Sequence, residues 1–547
     1  MTGETDIPWY RDAIFYEVPV RSFYDANNDG IGDFKGMSEK LDYIKSIGVD
    51  CIWVLPFYQS PLKDDGYDIS DFYSINPDYG TMEDFENLIT EAHKRGLRVI
   101  ADLVLNHVSD QHPWFQEAAS SRDNPKRNWF IWSDTPEKFK NVRIVFVDVE
   151  KSNWTFDQRT KQYYWHRFYS HQPDLNYENP EVKKEMINVI RFWLKKGLDG
   201  FRCDSVPYLY KKDGTNCENL PETHQFFKEI RKIIDQEFPG CILLAEANEI
   251  PDEARKYFGD GNEFHMIFNF PLMPRIFLSV ATEDAKPIIE MVTQTIDVPV
   301  RCSWALFLRN HDELTLEQVN ETERDAMYRE YVKVQKMKIN LGIRRRLAPL
   351  MDNDRHRLEL LHALLISLPG TPVLYYGDEV NMGDNIYLGD RNGVRTPMQW
   401  SYDRNAGFSK ADSEQLYAPV IVNPNYHYES NNVESYSRLP TSFLNWFRRL
   451  IIVRKQNSAI FGKRNIEFLE TGQKEIIAFV REGSGMILCI YNMSRRPSYA
   501  KLDLSRYRGW HVRELLSSSL FPDIEETPYF FTMQGSSFFW LSLEPPS

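Results

Sequence analysis

Four apolar runs in this chain end on residues that are costly to bury: DLVLNH at 102–107, GFRCDSV at 200–206, ILLAEAN at 242–248 and LFLRNHD at 306–312. A strand that buries its apolar residues and then presents Asp204, Glu246 or Asp312 at its C-terminal end is the layout of a parallel barrel whose upper rim does chemistry. Around these segments the chain alternates between strand-like and helix-like patterns. AIFYEVPV (13–20) precedes FKGMSEKLDYIKSIG, CIWVLPF (51–57) precedes TMEDFENLITEAHKRG, and RVIADLVL (98–105) follows it. Gly48 and Gly96 fall where glycine C-caps would end the two helices. GFRCDSV, CILLAEAN (241–248), EFHMIFNFP (263–271), SWALFLRNHD (303–312) and TPVLYYGDE (371–379) continue the rhythm. Eight strand candidates predict an α/β fold with a closed (β/α)8 TIM barrel rather than an open sheet.

The rhythm stops after His107 and resumes near residue 177. The expected division is therefore a catalytic barrel over 1–106 and 177–464, with an inserted subdomain over 107–176 after strand 3. A charged helical insertion is expected over 313–360, directly after Asp312 and strand 7, so that it overhangs the same rim. From 465 to 547 the pattern changes to strict alternation with turns, which predicts a C-terminal antiparallel β-sandwich.

Composition narrows the partners. A formal net charge of -14 and a pI near 5.5 argue against a phosphate-backbone partner. Arg344, Arg345 and Arg346 form the one basic cluster and read as a solvated or ion-paired helix end. The six cysteines (Cys51, Cys203, Cys217, Cys241, Cys302, Cys489) show no CxxC or metal spacing and read as buried thiols in a reducing compartment. The N-terminus lacks a basic n-region and an apolar h-region, so no secretory signal is expected. LLHALLISLPGTPVLYY is broken by Pro369, Gly370 and Pro372 and cannot span a membrane as a regular helix. The expectation is a cytoplasmic protein with no nucleic-acid or membrane partner, which leaves room for a homo-oligomer.

Cleavage of a glycosidic bond with retention needs one carboxylate as nucleophile and a second, protonated carboxyl as acid/base, about 5 Å apart. Asp204 and Glu246 suit those roles by type and placement. Each has an ordinary reading as well, a helix cap for Asp204 and a buried ion pair for Glu246. Arg202 lies two residues before Asp204, on the same strand face, and an adjacent guanidinium keeps a carboxylate ionised. His107 and His311 end apolar runs beside Asn106 and Asp312, and two histidines on one rim suggest donors to sugar hydroxyls. Tyr67, just before Asp68, is a candidate stacking platform, although most of the 14 % aromatic content must be core.

DANNDGIGD spaces Asp25, Asn27, Asp29, Ile31 and Asp33 like the start of an EF-hand loop, with Gly30 at the tight turn. Gly36 stands where the twelfth-position Glu would be and a strand precedes the loop, so an EF-hand pair is excluded. A calcium loop of another kind is expected, with a plain Asx-rich turn as the alternative. No organic cofactor is expected.

With these residues in place the chain resembles the α-amylase superfamily, glycoside hydrolase family 13, over nearly its whole length. The four opening segments correspond in order to that family's signature regions, and QPDLN (172–176) resembles its fifth. The resemblance implies Asp204 as nucleophile, Glu246 as general acid/base and Asp312 as the third carboxylate, which orients and stabilises the distorted sugar. It implies that Asp68, Tyr67, His107, Gln172, Arg202 and His311 contact the glucosyl unit. It also implies that Arg391 pairs with Asp68 to close the pocket beyond one glucose. A second calcium site at Asn106 and Asp174 is implied too, but Lys211 stands at a position there that is often filled by glutamate, which speaks against it. Cys203, where the family commonly has leucine, is similarly apolar.

The longer strings VPYLYKKDGTNCENLPETH, FLRNHDELTLEQV, GIRRRLAPLMDND and NIYLGDRNGVRTPMQW resemble the members that interconvert maltose and trehalose. The implied activity is a retaining intramolecular transglucosylation between α-1,4 and α,α-1,1 linkages on a disaccharide, with minor hydrolysis to glucose. The enzyme alternative is an α-glucosidase or oligo-1,6-glucosidase. A non-enzymatic amylase-like scaffold would predict lost carboxylates and a membrane anchor.

Overall fold

The computed structural model describes residues 8–525 and 527–546; part of the segment read as lacking a secretory signal, residues 1–7, lies outside them. All eight expected strands enter one closed, all-parallel barrel: β1 (Phe15–Val18), β2 (Cys51–Val54), β3 (Arg98–Val104), β4 (Gly200–Asp204), β5 (Ile242–Ala245), β6 (Met266–Phe268), β7 (Ser303–Phe307) and β8 (Thr371–Tyr375). Closure is made where Phe15 pairs with Val373 of β8 on one side and with Cys51 of β2 on the other. Every residue of β1, β2 and β4 to β8 is buried, as parallel strands covered on both faces require. Glu17, Asp102, Arg202 and Asp204 are the buried charged exceptions, and all four lie in the network described below.

Local signals set the helices that space these strands. The helix Leu41–Ile47 ends on Gly48 in the left-handed conformation (φ 100°), where a Cβ would meet Ile451 at 2.7 Å. Thr81 and Asp84 form a capping box at the start of Met82–Lys94. Pro180 and Pro221 open the helices that lead into β4 and β5, at the one turn where a missing N–H costs nothing. The apolar stretch 360–376 is the end of the helix Arg355–Ser367 followed by β8, and among the described residues no helix is long and apolar enough to cross a membrane.

The segment after β3 carries a three-stranded antiparallel sheet (Trp132–Ser133, Gln162–Trp165, Trp154–Asp157, in that spatial order). Its small core joins Phe139, Val142, Trp154 and Trp165 to Cys217, so it is tied to the loop after β4. The segment after β7 is less helical than its charge pattern suggests. It holds the helix Glu321–Tyr331, the short helix Leu347–Leu350, the start of the helix Arg355–Ser367 and a short antiparallel sheet of Leu314–Thr315, Gly342–Ile343 and Lys338–Ile339. The two-residue turn at Asn340 and Leu341, with Asn340 at φ 47°, makes the hairpin.

The C-terminal sheet has six strands in the spatial order Glu467–Phe468, Ile476–Glu482, Met486–Asn492, Phe538–Glu544, His511–Glu514, Leu520–Phe521. Alternation divides it between two cores. Ile477, Phe479, Ile487, Cys489 and Tyr491 join the barrel core, whereas Ile476, Ala478, Val480, Leu488 and Ile490 pack in a second core under the pair Ser498–Leu502 and Tyr529–Met533.

Candidate active site

Arg202 is the hub of the upper rim. Its Nη1 lies 2.5 Å from Asp102 Oδ1 and 2.6 Å from Asp204 Oδ1, and its Nη2 lies 2.6 Å from Glu246 Oε1. Strand alternation puts Arg202 and Asp204 on one face, and the parallel register sets Asp102 beside Arg202 (Asp102↔Arg202). Ser205, in the left-handed conformation at φ 54°, turns the chain so that its Oγ donates to Asp204 Oδ2 at 2.6 Å and its N–H donates to Glu246 Oε2 at 3.0 Å. Burial, helped by the charge of Asp204 and opposed by Arg202, pushes the Glu246 carboxyl up to about 8. Burial likewise raises Asp102 to about 7, against the pull of Arg202. One carboxyl that holds its proton at neutral pH beside another on the same guanidinium is the pairing that acid-assisted displacement needs.

Asp312 ends the β7 run and accepts from Arg391 Nη1 at 2.6 Å and Arg395 Nη2 at 3.0 Å, with His311 Nε2 3.2 Å from its Oδ2. Burial raises its carboxyl, but His311, Arg391 and Arg395 outweigh that and hold it far below the usual carboxylate range. His311 Nε2 is also 2.8 Å from the Tyr67 hydroxyl, and the two rings stack at 5.4 Å and 11°. Burial depresses the His311 imidazole well below its usual value.

The expected pairing of Arg391 with Asp68 is corrected by the structure. Arg391 Nη2 donates to Asp64 Oδ1 at 2.9 Å, and Gln172 Nε2 donates to Asp64 Oδ2 at 2.8 Å. Asp68 is engaged instead by its own loop, accepting from the N–H groups of Lys63 and Asp64 (3.0 Å each) and from Ser60 Oγ (3.1 Å). Its two oxygens therefore shape the turn that aims Asp64, and neither Asp68 nor Gln172 lines the pocket. Asp64, raised to about 7 by burial against Arg391, is a pocket residue that reading the sequence missed. DDGYDIS carried the signal, in that two further carboxylates stand ahead of Tyr67.

Asp64, Tyr67, Asp204, Glu246, Asp312 and Arg391 line a cavity of about 130 Å3 together with His107 and an apolar wall that includes Val145, Phe146 and Phe168. Among the described residues the buried His107 Nε2 has no partner, and burial lowers its pKa, so it is poised to bond an incoming hydroxyl. A clamp lies alongside. Arg143, in the segment after β3, reaches Glu218 at 3.0 Å, Glu317 at 3.1 Å and the Tyr208 hydroxyl at 3.2 Å. Asn248 Nδ2 donates to the same Glu317 oxygen at 3.3 Å, and Asn340 N donates to Asp148 at 2.7 Å. Both insertions and the loop after β4 are thus tied together beside the cavity, which Tyr208, Asn248 and Glu317 also line.

The candidate metal residues differ in fit. Asp25, Asn27, Asp29, Ile31 and Asp33 lie in one loop, and among the described residues no Lys or Arg pairs with its three carboxylates. Their oxygens accept from the loop's own backbone, Asp25 from Asn28 and Gly30 N–H, Asp29 from Ile31 N–H and Asp33 from Ala26 and Gly36 N–H. Among the described residues no cluster of three or more His, Cys, Asp or Glu is gathered tightly enough to hold a metal. The donor set of carboxylates, an amide oxygen and a backbone carbonyl nevertheless suits a hard cation. The second site does not fit one. The Lys211 ammonium lies 2.9 Å from Asn106 Oδ1, 3.2 Å from Leu209 O and 2.8 Å from Asp174 Oδ2, so a side-chain cation fills the position between Asn106 and Asp174.

Comparison with known proteins agrees with this geometry. Residues 18–462 match the alpha amylase catalytic domain, and residues 466–540 match the maltogenic amylase C-terminal domain. The chain is 53 % identical over 559 residues to a trehalose synthase/amylase of Mycolicibacterium smegmatis, covering 100 % of this chain and 94 % of that protein. It is 52 % identical over 552 residues to a trehalose synthase of a Pimelobacter species, covering 98 % and 96 % respectively. The trehalulose synthase structure from Pseudomonas mesoacidophila superposes with a TM-score of 0.79 at 27 % identity, covering 98 % of this chain and 100 % of that one.

Proposed function

The chain belongs to the alpha-amylase family of catalytic domains, and on that premise we propose that it interconverts maltose and trehalose by retaining intramolecular glucosyl transfer. Asp204 attacks the anomeric carbon of the non-reducing glucose while Glu246 passes its proton to the linking oxygen, which breaks the α-1,4 bond and leaves a β-glucosyl ester on Asp204. Asp312, held ionised by its arginines, supports the positive charge that develops on the ring. The freed glucose turns beside the clamp, Glu246 takes the proton of its anomeric hydroxyl, and that oxygen displaces Asp204 to form the α,α-1,1 bond. Two inversions leave net retention. Water that reaches the ester first gives glucose, so hydrolysis is the minor branch of the same pathway.

The observation that carries this reading is enclosure. Arg391 bonds Asp64 on the pocket wall, where the pair would bound a site for one glucose. The bridge from Arg143 to Glu218 and Glu317 ties together the segments around it. At about 130 Å3 the cavity is smaller than the several hundred Å3 typical of a site for a drug-sized ligand, which suits a short saccharide better than a long glucan. The test is incubation with maltose alone while the anomeric proton signals are followed by NMR. Trehalose as the main product is expected; predominant glucose overturns the reading in favour of a hydrolase.

We further place calcium in the Asp25–Asp33 loop, bound through Asp25, Asn27, Asp29, the Ile31 carbonyl and Asp33, where it would brace the loop after β1 without entering the reaction. Elemental analysis of protein purified without added metal tests this, and substoichiometric calcium with unchanged thermal stability counts against it. Six unpaired thiols, most of them buried, support a cytoplasmic setting.

A further inference from the structure

Glu17, in the middle of β1, is a fully buried carboxyl that the transfer reaction leaves unused. Its Oε1 lies 2.6 Å from His311 Nδ1 and accepts from the His311 backbone N–H at 3.1 Å, and among the described residues its buried Oε2 has no partner. One hydrogen must lie in the short contact with Nδ1, and the far side of the ring decides which atom owns it. Nε2 faces the Tyr67 hydroxyl at 2.8 Å and Asp312 Oδ2 at 3.2 Å. Asp312 is ionised and can only accept, so a bare Nε2 would set two lone pairs against each other, whereas an Nε2–H serves both neighbours. The ring is then either neutral with Nδ1 as acceptor or a charged imidazolium.

The surroundings choose the neutral ring. Burial, with Arg391, Arg395 and Arg202 near by, works against a positive charge on His311 and outweighs Asp312. Glu17 faces Arg202, Asp102, Asp312 and, on β8, Tyr375; burial raises its carboxyl well above the usual range. An ionised Glu17 would also leave a charged oxygen bare at Oε2, which a carbonyl oxygen tolerates at far lower cost. We propose that Glu17 is a positioning residue: as a neutral acid donating from Oε1 to His311 Nδ1, it locks the imidazole in the tautomer that presents Nε2–H to the sugar pocket. The proposal rests only on the pocket holding a glucosyl unit, not on which disaccharide leaves it.

The direct test is NMR of the full-length protein labelled with 15N-histidine, with His311 assigned by the resonance lost in His311→Asn. A hydrogen on Nε2 alone is expected; a hydrogen on Nδ1, by itself or together with Nε2, overturns the proposal. The kinetic test follows p-nitrophenol release from p-nitrophenyl α-glucoside, which reports attack by the nucleophile whether the later product is trehalose or glucose. Glu17→Met is expected to lose about 10- to 100-fold in kcat/KM, by analogy with the partners that orient metal-bound histidines. Glu17→Gln, whose neutral amide N–H can donate to Nδ1, recovers most of that loss. A glutamine variant as impaired as the methionine one, with its unfolding midpoint unchanged, also overturns the proposal. Failure of the maltose experiment would leave both readouts intact.

Discussion

Two fully buried guanidiniums are held in opposite ways. Arg202, on the barrel rim, is ringed by the carboxyl groups of Asp102, Asp204 and Glu246 at 2.5 to 2.6 Å. Arg481, on the first long strand of the C-terminal sheet, meets no carboxylate among the described residues and donates to backbone carbonyls, at 2.8 Å to Asn465, at 3.0 Å to Phe461, and to Ser367 and Lys463. Burial opposes the charge of Arg202, but Asp102 and Glu246 more than restore it, whereas burial without a counter-ion pushes Arg481 down to about 9. Ser367 and Phe461 are the last residues of their helices, so Arg481 sits where C-terminal carbonyls converge and helix dipoles favour a cation. The contrast separates two uses of buried charge. At the junction a cation satisfies backbone oxygens and stitches domains together; at the rim a cation gathers carboxylates whose protons can then be shifted by burial.

That contrast can be broken by substitution. The largest effect is expected from Asp204→Ala, which removes the proposed nucleophile and should cut both trehalose and glucose formation by at least about 10^4-fold; full turnover would unseat the assignment. Arg202→Met should follow, because three buried carboxylates lose their shared partner at a cost of about 3–5 kcal/mol and activity falls with stability. Arg481→Met should cost about 1–3 kcal/mol in denaturant unfolding through orphaned carbonyls, with kcat and product ratio unchanged. A shift in product ratio there would show that the two regions are coupled.

Smaller changes sharpen the rim side of the comparison. Arg143→Gln loosens the bridge to Glu218 and Glu317, and the glucose fraction from maltose should rise severalfold while total turnover stays within about tenfold, as expected for a lid residue. The mildest effect is that of pH. Glu246 must be protonated for the first step and is raised to about 8, so kcat/KM should hold through neutrality and decline as pH rises through about 8. A decline centred near the ordinary carboxylate range would show that burial does not govern this group.

Periodicity and residue type were enough to count the barrel strands, to foresee a C-terminal antiparallel sheet, and to put Asp204, Glu246 and Asp312 on one rim, because strand alternation and run ends are local properties of the chain. The helical reading of 313–360 was too simple, since Asn340 in a left-handed turn is a weak cue beside a charged helix pattern. What stayed out of reach was pairing across the fold. Arg391 meets Asp64 from 327 residues away, and Glu17 meets His311 from 294 away. A lone Glu in the run AIFYEVPV and a second carboxylate ahead of Tyr67 were visible, but nothing local says which partner closure of the barrel will bring. Likewise Lys211 could be seen to sit badly with a second calcium, yet only folding puts its ammonium between Asn106 and Asp174. The amino-acid order settles which chemical groups line up on each strand. The tertiary structure settles their company and their burial, and those two decide which carboxyl keeps its proton.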